Sequence, residues 1–137
     1  MAYQIVKGWP SEGALDEILT PAAGLEMNKG GGQLVALEAD GKVVLATFDP
    51  SGADADRLAY FAIDSDSING NVTALKSGFI VECDADHYVA GAYTPNQKVT
   101  ATDGKFAPVT GTEKVVGIVS KFDAANGKMR VVWTAVA

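Results

Sequence analysis

The sequence predicts a mainly β protein: a small single-domain β-barrel or β-sandwich built of hairpins, with an extended N-terminal arm. Three observations favour this fold class. The same turn signal occurs as Asp40-Gly41, Asp103-Gly104 and Asn126-Gly127, each followed by lysine. Glycine lacks a Cβ and Asp or Asn tolerates positive φ, so these pairs favour tight hairpin turns. Strand-forming runs flank each turn, and turn chemistry recurs about every 8–12 residues, as in small barrels and sandwiches.

Length and composition indicate one domain that can enclose a core without a disulfide. The chain has 137 residues, of which 47% are hydrophobic and 20% are charged, values ordinary for a soluble globular protein. The single Cys83 excludes an intramolecular disulfide. We see no charged-then-apolar leader and no apolar run near the ~20 residues that a membrane span needs. We therefore expect a soluble protein that is made in the cytoplasm and has no membrane partner.

The charge balance argues against a nucleic-acid partner. Seventeen acidic residues face eleven basic ones, which gives a net charge of −6, and the basic residues do not cluster in the sequence. Phosphate binding draws much of its affinity from Lys and Arg.

The first 32 residues differ from the rest, and we assign them to an arm or lead-in ahead of a β domain over residues 33–137. Residues 3–6 could form a short strand, which Gly8-Trp9-Pro10 then breaks. Residues 11–19 predict a short helix, with Ser11 as the N-cap and Leu15, Ile18 and Leu19 on one face. Thr20-Pro21 would end it.

From residue 33 the pattern changes to that of strands. The predicted strands are 33–38, 43–48, 57–63, 79–82, 97–102, 105–110, 114–122 and 128–136. In residues 57–63, apolar side chains lie on both faces of the strand, and in 128–136 Met129, Val131 and Trp133 share one face. We expect Trp133 to be a core residue and residues 64–71 to be a polar surface loop.

Candidate chemistry is sparse. Cys83 and His87 could form a nucleophile–base pair, but their spacing on an extended segment puts them roughly 13 Å apart. We interpret Cys83 as a small core hydrophobe at a strand end and His87 as a loop or surface residue. The loop that starts at Asp64 carries the Asp-x-Asp spacing of a calcium loop, but Ile68 occupies the position where an EF-hand needs Asp or Asn. We therefore predict no catalytic residue, no metal and no cofactor.

A scaffold with so little chemistry usually works through its surfaces. Trp9 lies in an irregular stretch and either packs within its own chain or against a partner, because large aromatics supply much of the energy at interfaces. We place the partner interface in the N-terminal segment. Its candidate residues are Tyr3, Ile5, Trp9, Pro10, Leu15 and Ile18.

The layout resembles that of the capsid decoration, or cement, proteins of tailed bacteriophages. The resemblance rests on short elements spread over nearly the whole chain: Gly8-Trp9-Pro10, Lys29-Gly30, Asp40-Gly41-Lys42, Tyr60-Phe61-Ala62-Ile63-Asp64, Ser77-Gly78-Phe79-Ile80-Val81-Glu82, Tyr93-Thr94-Pro95-Asn96, Val99-Thr100, Asp103-Gly104-Lys105 and Val115-Val116-Gly117-Ile118-Val119. One departure is Asn96, where such proteins often carry Gly.

The resemblance implies a non-catalytic virion protein that binds the outer surface of an assembled capsid and reinforces it. Its partners would be the major capsid protein and further copies of itself, with a trimer favoured. Alternatives are another virion subunit, such as a head-fibre base or tail-tube protein, and a small carbohydrate- or ligand-binding β-barrel. For the last, Trp9, Tyr88 and Tyr93 are the convenient aromatic candidates. An enzyme that uses Cys83, His87 or an acidic pair is the weakest alternative.

Overall fold

A computed structural model of the chain describes residues 3–7, 16–22, 32–52, 57–65, 72–75 and 79–135. These residues form strands and one short 3₁₀ turn, Ala85–His87, which confirms the mainly β fold class. The strands in chain order are β1 (Tyr3–Lys7), β2 (Asp16–Pro21), β3 (Gln33–Leu37), β4 (Lys42–Leu45), β5 (Ala59–Ser65), β6 (Val72–Leu75), β7 (Ile80–Asp84), β8 (Lys98–Thr102), β9 (Lys105–Pro108), β10 (Gly117–Asp123) and β11 (Lys128–Trp133). No helix within the described ranges is long and apolar enough to cross a membrane.

The strands form two sheets. Strands β2, β4, β3, β5 and β6 close into a five-stranded barrel, in which β2 joins β4 in parallel and β6 antiparallel. The second sheet has six antiparallel strands in the order β1-β7-β11-β10-β8-β9. The chain enters this sheet with β1, builds the barrel from β2 to β6, and returns to complete the sheet.

Strands with apolar side chains on both faces produce two cores. On β5, Tyr60 and Ala62 belong to a small cluster inside the barrel, whereas Phe61 belongs to a large cluster between the barrel and the six-stranded sheet. On β3, Val35 and Leu34 divide in the same way. Because side chains alternate along a strand, a barrel that packs against a second sheet needs apolar residues at every position of its shared strands.

The large core is mainly aromatic. Phe61 from the barrel lies with its ring centroid 5.7 Å from Phe79, 6.2 Å from Phe106 and 6.3 Å from Trp133. Trp133 stacks on Phe79 at 5.1 Å and is 4% exposed, so its predicted core position is confirmed. These rings join the two sheets into one packed unit.

The three copies of the turn signal all connect antiparallel strands, as predicted, but they form three different loops. Asp103 and Gly104 have φ of 49° and 78° in a two-residue loop between the paired residues Thr102 and Lys105, which fits a type I′ turn. The Asp40-Gly41 loop closes with the Glu38 N–H donating to the Lys42 carbonyl, which leaves three residues between them. The third loop spans four residues between Asp123 and Lys128. Similar dipeptides therefore did not determine loop length.

The N-terminal segment contributes strands to both sheets. The predicted short strand is confirmed as β1, which pairs with β7. The predicted helix over 11–19 is wrong for residues 16–19, which belong to β2; residues 11–15 lie outside the described part of the chain. The helical spacing of Ile18 and Leu19 was overridden by pairing of β2 with β6 and β4. The division of the chain at residue 32 stays a prediction.

Two further local features correct or explain the sequence reading. Strand β6 was missed, since its four residues follow directly on the polar stretch 64–71, of which 66–71 lie outside the described residues and 64–65 end β5. Asn96 has a φ of 73°, in the left-handed region. Asn tolerates this region, so Asn96 adopts a backbone conformation that glycine also provides.

Candidate functional site

The predicted interface residues fall in different places. Tyr3 and Ile5 lie on β1 in the six-stranded sheet, where the Ile5 backbone pairs with Val81. Ile18 lies on β2 in the barrel and pairs with Thr73. Trp9, Pro10 and Leu15 lie outside the described residues. The described members of the set therefore lie on two strands that belong to different sheets.

Tyr3 ties the first strand to the barrel. Its hydroxyl donates to the carbonyl of Ile63, and its ring packs edge-on against Phe61 at 5.3 Å and against His87 at 6.0 Å. Tyr3 is half-buried. Its described contacts are within its own chain, which gives it a structural role whatever else it binds.

His87 is buried, contrary to the loop or surface position expected from the sequence. It closes the 3₁₀ turn after β7 and is 1% exposed. Its Nδ1 lies 2.8 Å from the Gly32 carbonyl, and because a carbonyl can only accept, Nδ1–H is the donor. The prediction failed because the neighbouring aspartates indicate solvent, whereas the turn directs the imidazole toward the barrel.

Cys83 is a buried residue of β7, as predicted. It is 1% exposed within the large core. Burial raises the pKa of the Cys83 thiol to about 12, and the charges of Asp84 and Glu82 add to this effect. The thiol therefore stays protonated at neutral pH, whereas the thiolate is the reactive form.

The aromatic candidates for a sugar site are also buried where they are described. Tyr88 and Tyr93 are 6% and 4% exposed and pack edge-to-face at 5.5 Å, with Phe122 completing the group. The Tyr93 hydroxyl donates to the Val89 carbonyl at 2.7 Å. Neither ring offers a stacking platform to a ligand, so these two candidates are wrong. Trp9 is not among the described residues.

The most distinctive surface is one face of the six-stranded sheet, which we call the outer sheet face. Its apolar part is a row across three adjacent strands: Ile80 pairs with Val132, and Val132 pairs with Ile118. All three are partly exposed. The opposite face of the same strands holds Val81, Val131 and other residues of the large core. Alternation thus leaves a second, smaller apolar row turned away from the core.

The charged part of the outer sheet face lies next to this row. Arg130 pairs across strands with Glu82 and Lys121, and its Nη2 lies 3.5 Å from the Glu82 Oε1. Glu82 and Arg130 side chains are 28% and 36% exposed. With Lys121, Lys128, Asp123 and Asn126, they line a concavity of about 390 Å³. Three cations therefore gather here on a chain whose net charge is −6.

This charge grouping was missed by sequence reasoning. The alternation of Arg130 and Val132 against Met129 and Val131 was visible, but the register of β11 with its neighbours was not. A β-bulge between Val119 and Lys121 changes the register, so that Lys121 pairs with Arg130 while Phe122 still packs against the core. Nothing in the sequence marks the position of that bulge.

Among the described residues, no group of three or more His, Cys, Asp and Glu side chains could hold a metal ion. No protein-family model matches the chain, and neither a curated protein nor a solved structure matches it. The assignment of function therefore depends on the geometry and on the resemblance in sequence layout.

Proposed function

We propose that this chain is a structural virion protein that binds the outer surface of an assembled phage capsid and reinforces it. Its partners are the major capsid protein and further copies of itself, with a trimer favoured, and its place is the capsid exterior. The motif layout that resembles decoration proteins of tailed bacteriophages supports this function. The β fold, with two filled cores, suits a protein that works through rigid surfaces.

The observation that carries the proposal is the outer sheet face. It combines a partly exposed apolar row with three cations and two carboxylates, and it lies on the middle strands of a sheet whose other side contributes to the large core. Protein interfaces typically join an apolar centre to a polar rim. Because the whole chain is acidic, the excess of three cations over two carboxylates makes this face more favourable to an acidic partner than the chain as a whole.

A non-catalytic role is supported by the state of the two residues that could carry chemistry. Cys83 is held as a buried thiol with a raised pKa. His87 is buried, its Nδ1–H is engaged by a backbone carbonyl, and burial lowers its pKa. Both side chains contribute to packing between elements, which is a structural use. We therefore propose neither a catalytic residue nor a cofactor.

The N-terminal candidates remain part of the proposal, but the structure changes how they should be tested. Deletion of residues 1–32 would remove β1 from the sheet and β2 from the barrel. Such a deletion would damage the fold, so loss of binding would not identify an interface. Single charge reversals on an exposed surface avoid this difficulty.

The test is binding of the purified protein to capsids that lack it, measured by co-sedimentation, together with the solution mass of the free protein by light scattering. The variant is Lys121→Glu, whose side chain is exposed on the outer sheet face. The matched control is Lys42→Glu, an exposed lysine on the barrel that changes net charge equally. We expect the first variant to weaken capsid binding at least tenfold and the second to bind as the native protein does.

Native protein that never binds such capsids would overturn the proposed function. Equal binding by both variants would show that the outer sheet face is not the capsid-binding surface. Tubes or fibres formed by the pure protein would favour a tail-tube or head-fibre subunit instead.

A further inference from the structure

A second concavity, which shares no lining residue with the first, has the character of a small-molecule site. We call it the threonine cleft. It has a volume of about 490 Å³ and is formed by residues 47–50, residues 100–102 of β8, and the loop 110–113 after β9. Ligand pockets in proteins commonly measure about 300–1,000 Å³. The cleft therefore has room for one small ligand.

Hydrogen bonds fix the segments that form the walls of the cleft. The Phe48 N–H donates to the Ala101 carbonyl at 3.1 Å, and the Asp103 N–H donates to the Thr47 Oγ1 at 2.9 Å. These bonds fix segment 47–50 beside β8. On the other side, the Glu113 carboxylate accepts from the N–H groups of Thr110 and Gly111, which closes the loop on itself.

Thr100 lies on the floor of the cleft and carries an unused hydroxyl. It is 2% exposed, and its Oγ1 is buried with no hydrogen-bond partner among the described residues. Its strand neighbours Val99 and Ala101 point into the large core, so Thr100 faces the opposite way, toward the cleft. A buried hydroxyl without a partner is costly, so a ligand group that reaches this floor position would gain by pairing with it.

The remaining lining groups determine what chemistry fits. Asp49 and Glu113 supply carboxylates, and bonds from local N–H and hydroxyl groups lower the pKa of both, so they stay ionised at neutral pH. None of the lining residues is Lys or Arg, although the Lys114 Nζ lies 5.9 Å from the centre of the Phe48 ring. Two lining carboxylates beside this one neighbouring cation disfavour an anionic ligand. Thr47, Thr102 and Thr112 add hydroxyls beside methyl groups.

From this arrangement we infer that the threonine cleft binds a neutral, hydroxyl-rich ligand of the size of a monosaccharide. Each sugar hydroxyl both donates and accepts, which matches a wall of carboxylate acceptors and threonine hydroxyls, and the C–H groups of the ring match the threonine methyls and Pro50. A ligand hydroxyl at the floor would pair with Thr100. A calcium ion fits less well, because it takes 6–8 oxygen ligands, and Asp49 and Glu113 are the two carboxylates among the lining residues.

The experiment is a titration of the full chain, followed through ¹H–¹⁵N amide shifts, with D-glucose, D-galactose, D-mannose and N-acetyl-D-glucosamine in turn, and with calcium chloride separately. We expect at least one sugar to shift amides of 47–50, 100–102 and 110–113 together, with millimolar affinity. Thr100→Val should weaken that affinity at least tenfold and leave the melting temperature unchanged or higher, since it removes an unpaired hydroxyl while keeping the shape. Thr134→Val is the control, an exposed threonine outside the cleft, and should bind as the native chain does.

No shift in the cleft with any of the four sugars would overturn the inference, as would a response to calcium alone. Full sugar affinity in Thr100→Val would also overturn it, because the floor hydroxyl would then have no part in binding. The inference is independent of capsid binding, since Lys121 does not line the cleft. Either proposal can fail while the other stands.

Discussion

The imidazole of His87 is joined to the backbone of Gly32 by a hydrogen bond of 2.8 Å, across 55 positions of sequence. Gly32 immediately precedes the barrel strand β3, and His87 closes the turn after β7 of the six-stranded sheet. Tyr3 of β1 packs on the same imidazole. One buried side chain therefore connects the start of barrel strand β3 to two strands of the other sheet.

Gly32 should be intolerant of a side chain. Its φ is +92°, and a Cβ added there would overlap the His87 ring, with Nδ1 only 2.8 Å away. We expect Gly32→Ala to lower the free energy of unfolding by about 1–3 kcal/mol or more, because backbone strain and overpacking act together. Urea unfolding followed by circular dichroism measures this loss.

Gly41→Ala is the matched control for that substitution. Its φ of +83° is similar, but an added Cβ meets nothing within 4 Å. It should lose only the strain component, about 1 kcal/mol. Equal losses at the two positions would mean that the contact with His87 does not restrict residue 32.

Stability should fall as the pH drops below about 6.5. Burial lowers the pKa of His87 from the ordinary value of 6.5, so the unfolded chain binds the proton before the folded chain does. Neutral His87 therefore favours the folded state. Its contribution to the free energy of unfolding declines as the pH falls from 6.5 to the pKa of the folded state. Protonation would place a second N–H at Nε2, 3.9 Å from the Asp84 carboxylate, which limits the loss.

Unfolding free energies of the native chain and of His87→Asn between pH 7.5 and 5 test this dependence. Asn keeps a side-chain N–H donor but does not titrate, so its slope in this range should be much smaller. Asp49, Glu113 and Asp123, whose pKa values are lowered from 3.8, 4.5 and 3.8, lose their contributions at lower pH. The same slope in both proteins would assign the pH dependence to other groups.

Cys83 should be inert in the folded protein. Burial raises the pKa of its thiol to about 12, and it is 1% exposed. We expect no reaction with a disulfide reagent such as dithionitrobenzoate under native conditions and stoichiometric reaction in urea. Cys83→Ser should lower stability by about 1–3 kcal/mol, because it buries a hydroxyl in the large core. Rapid labelling of the native chain would show that β7 opens readily.

Phe61 should be the most sensitive position at the junction of the sheets. It is fully buried on barrel strand β5 and contacts Phe79, Phe106 and Trp133 of the opposite layer. Phe61→Ala should cost about 3–5 kcal/mol of unfolding free energy. Leu58→Ala, a partly exposed residue on the barrel side, is the comparison and should cost clearly less. A similar cost at both positions would contradict the central role of the aromatic core.

The sequence by itself determined the fold class, most strands and the core position of Trp133, because alternation and turn residues act over a few neighbouring positions. It also predicted Cys83 as a core residue, since a small apolar side chain follows an apolar run. It did not predict strand β2, the burial of His87 or the cation group at Lys121, Lys128 and Arg130. Strand β2 depends on pairing with distant strands, the burial of His87 depends on a turn that directs its side chain inward, and the cation group depends on one β-bulge. Only the tertiary structure decided them, because neither the pairing of β2 with strands tens of positions away nor the position of a β-bulge leaves a local pattern in the sequence.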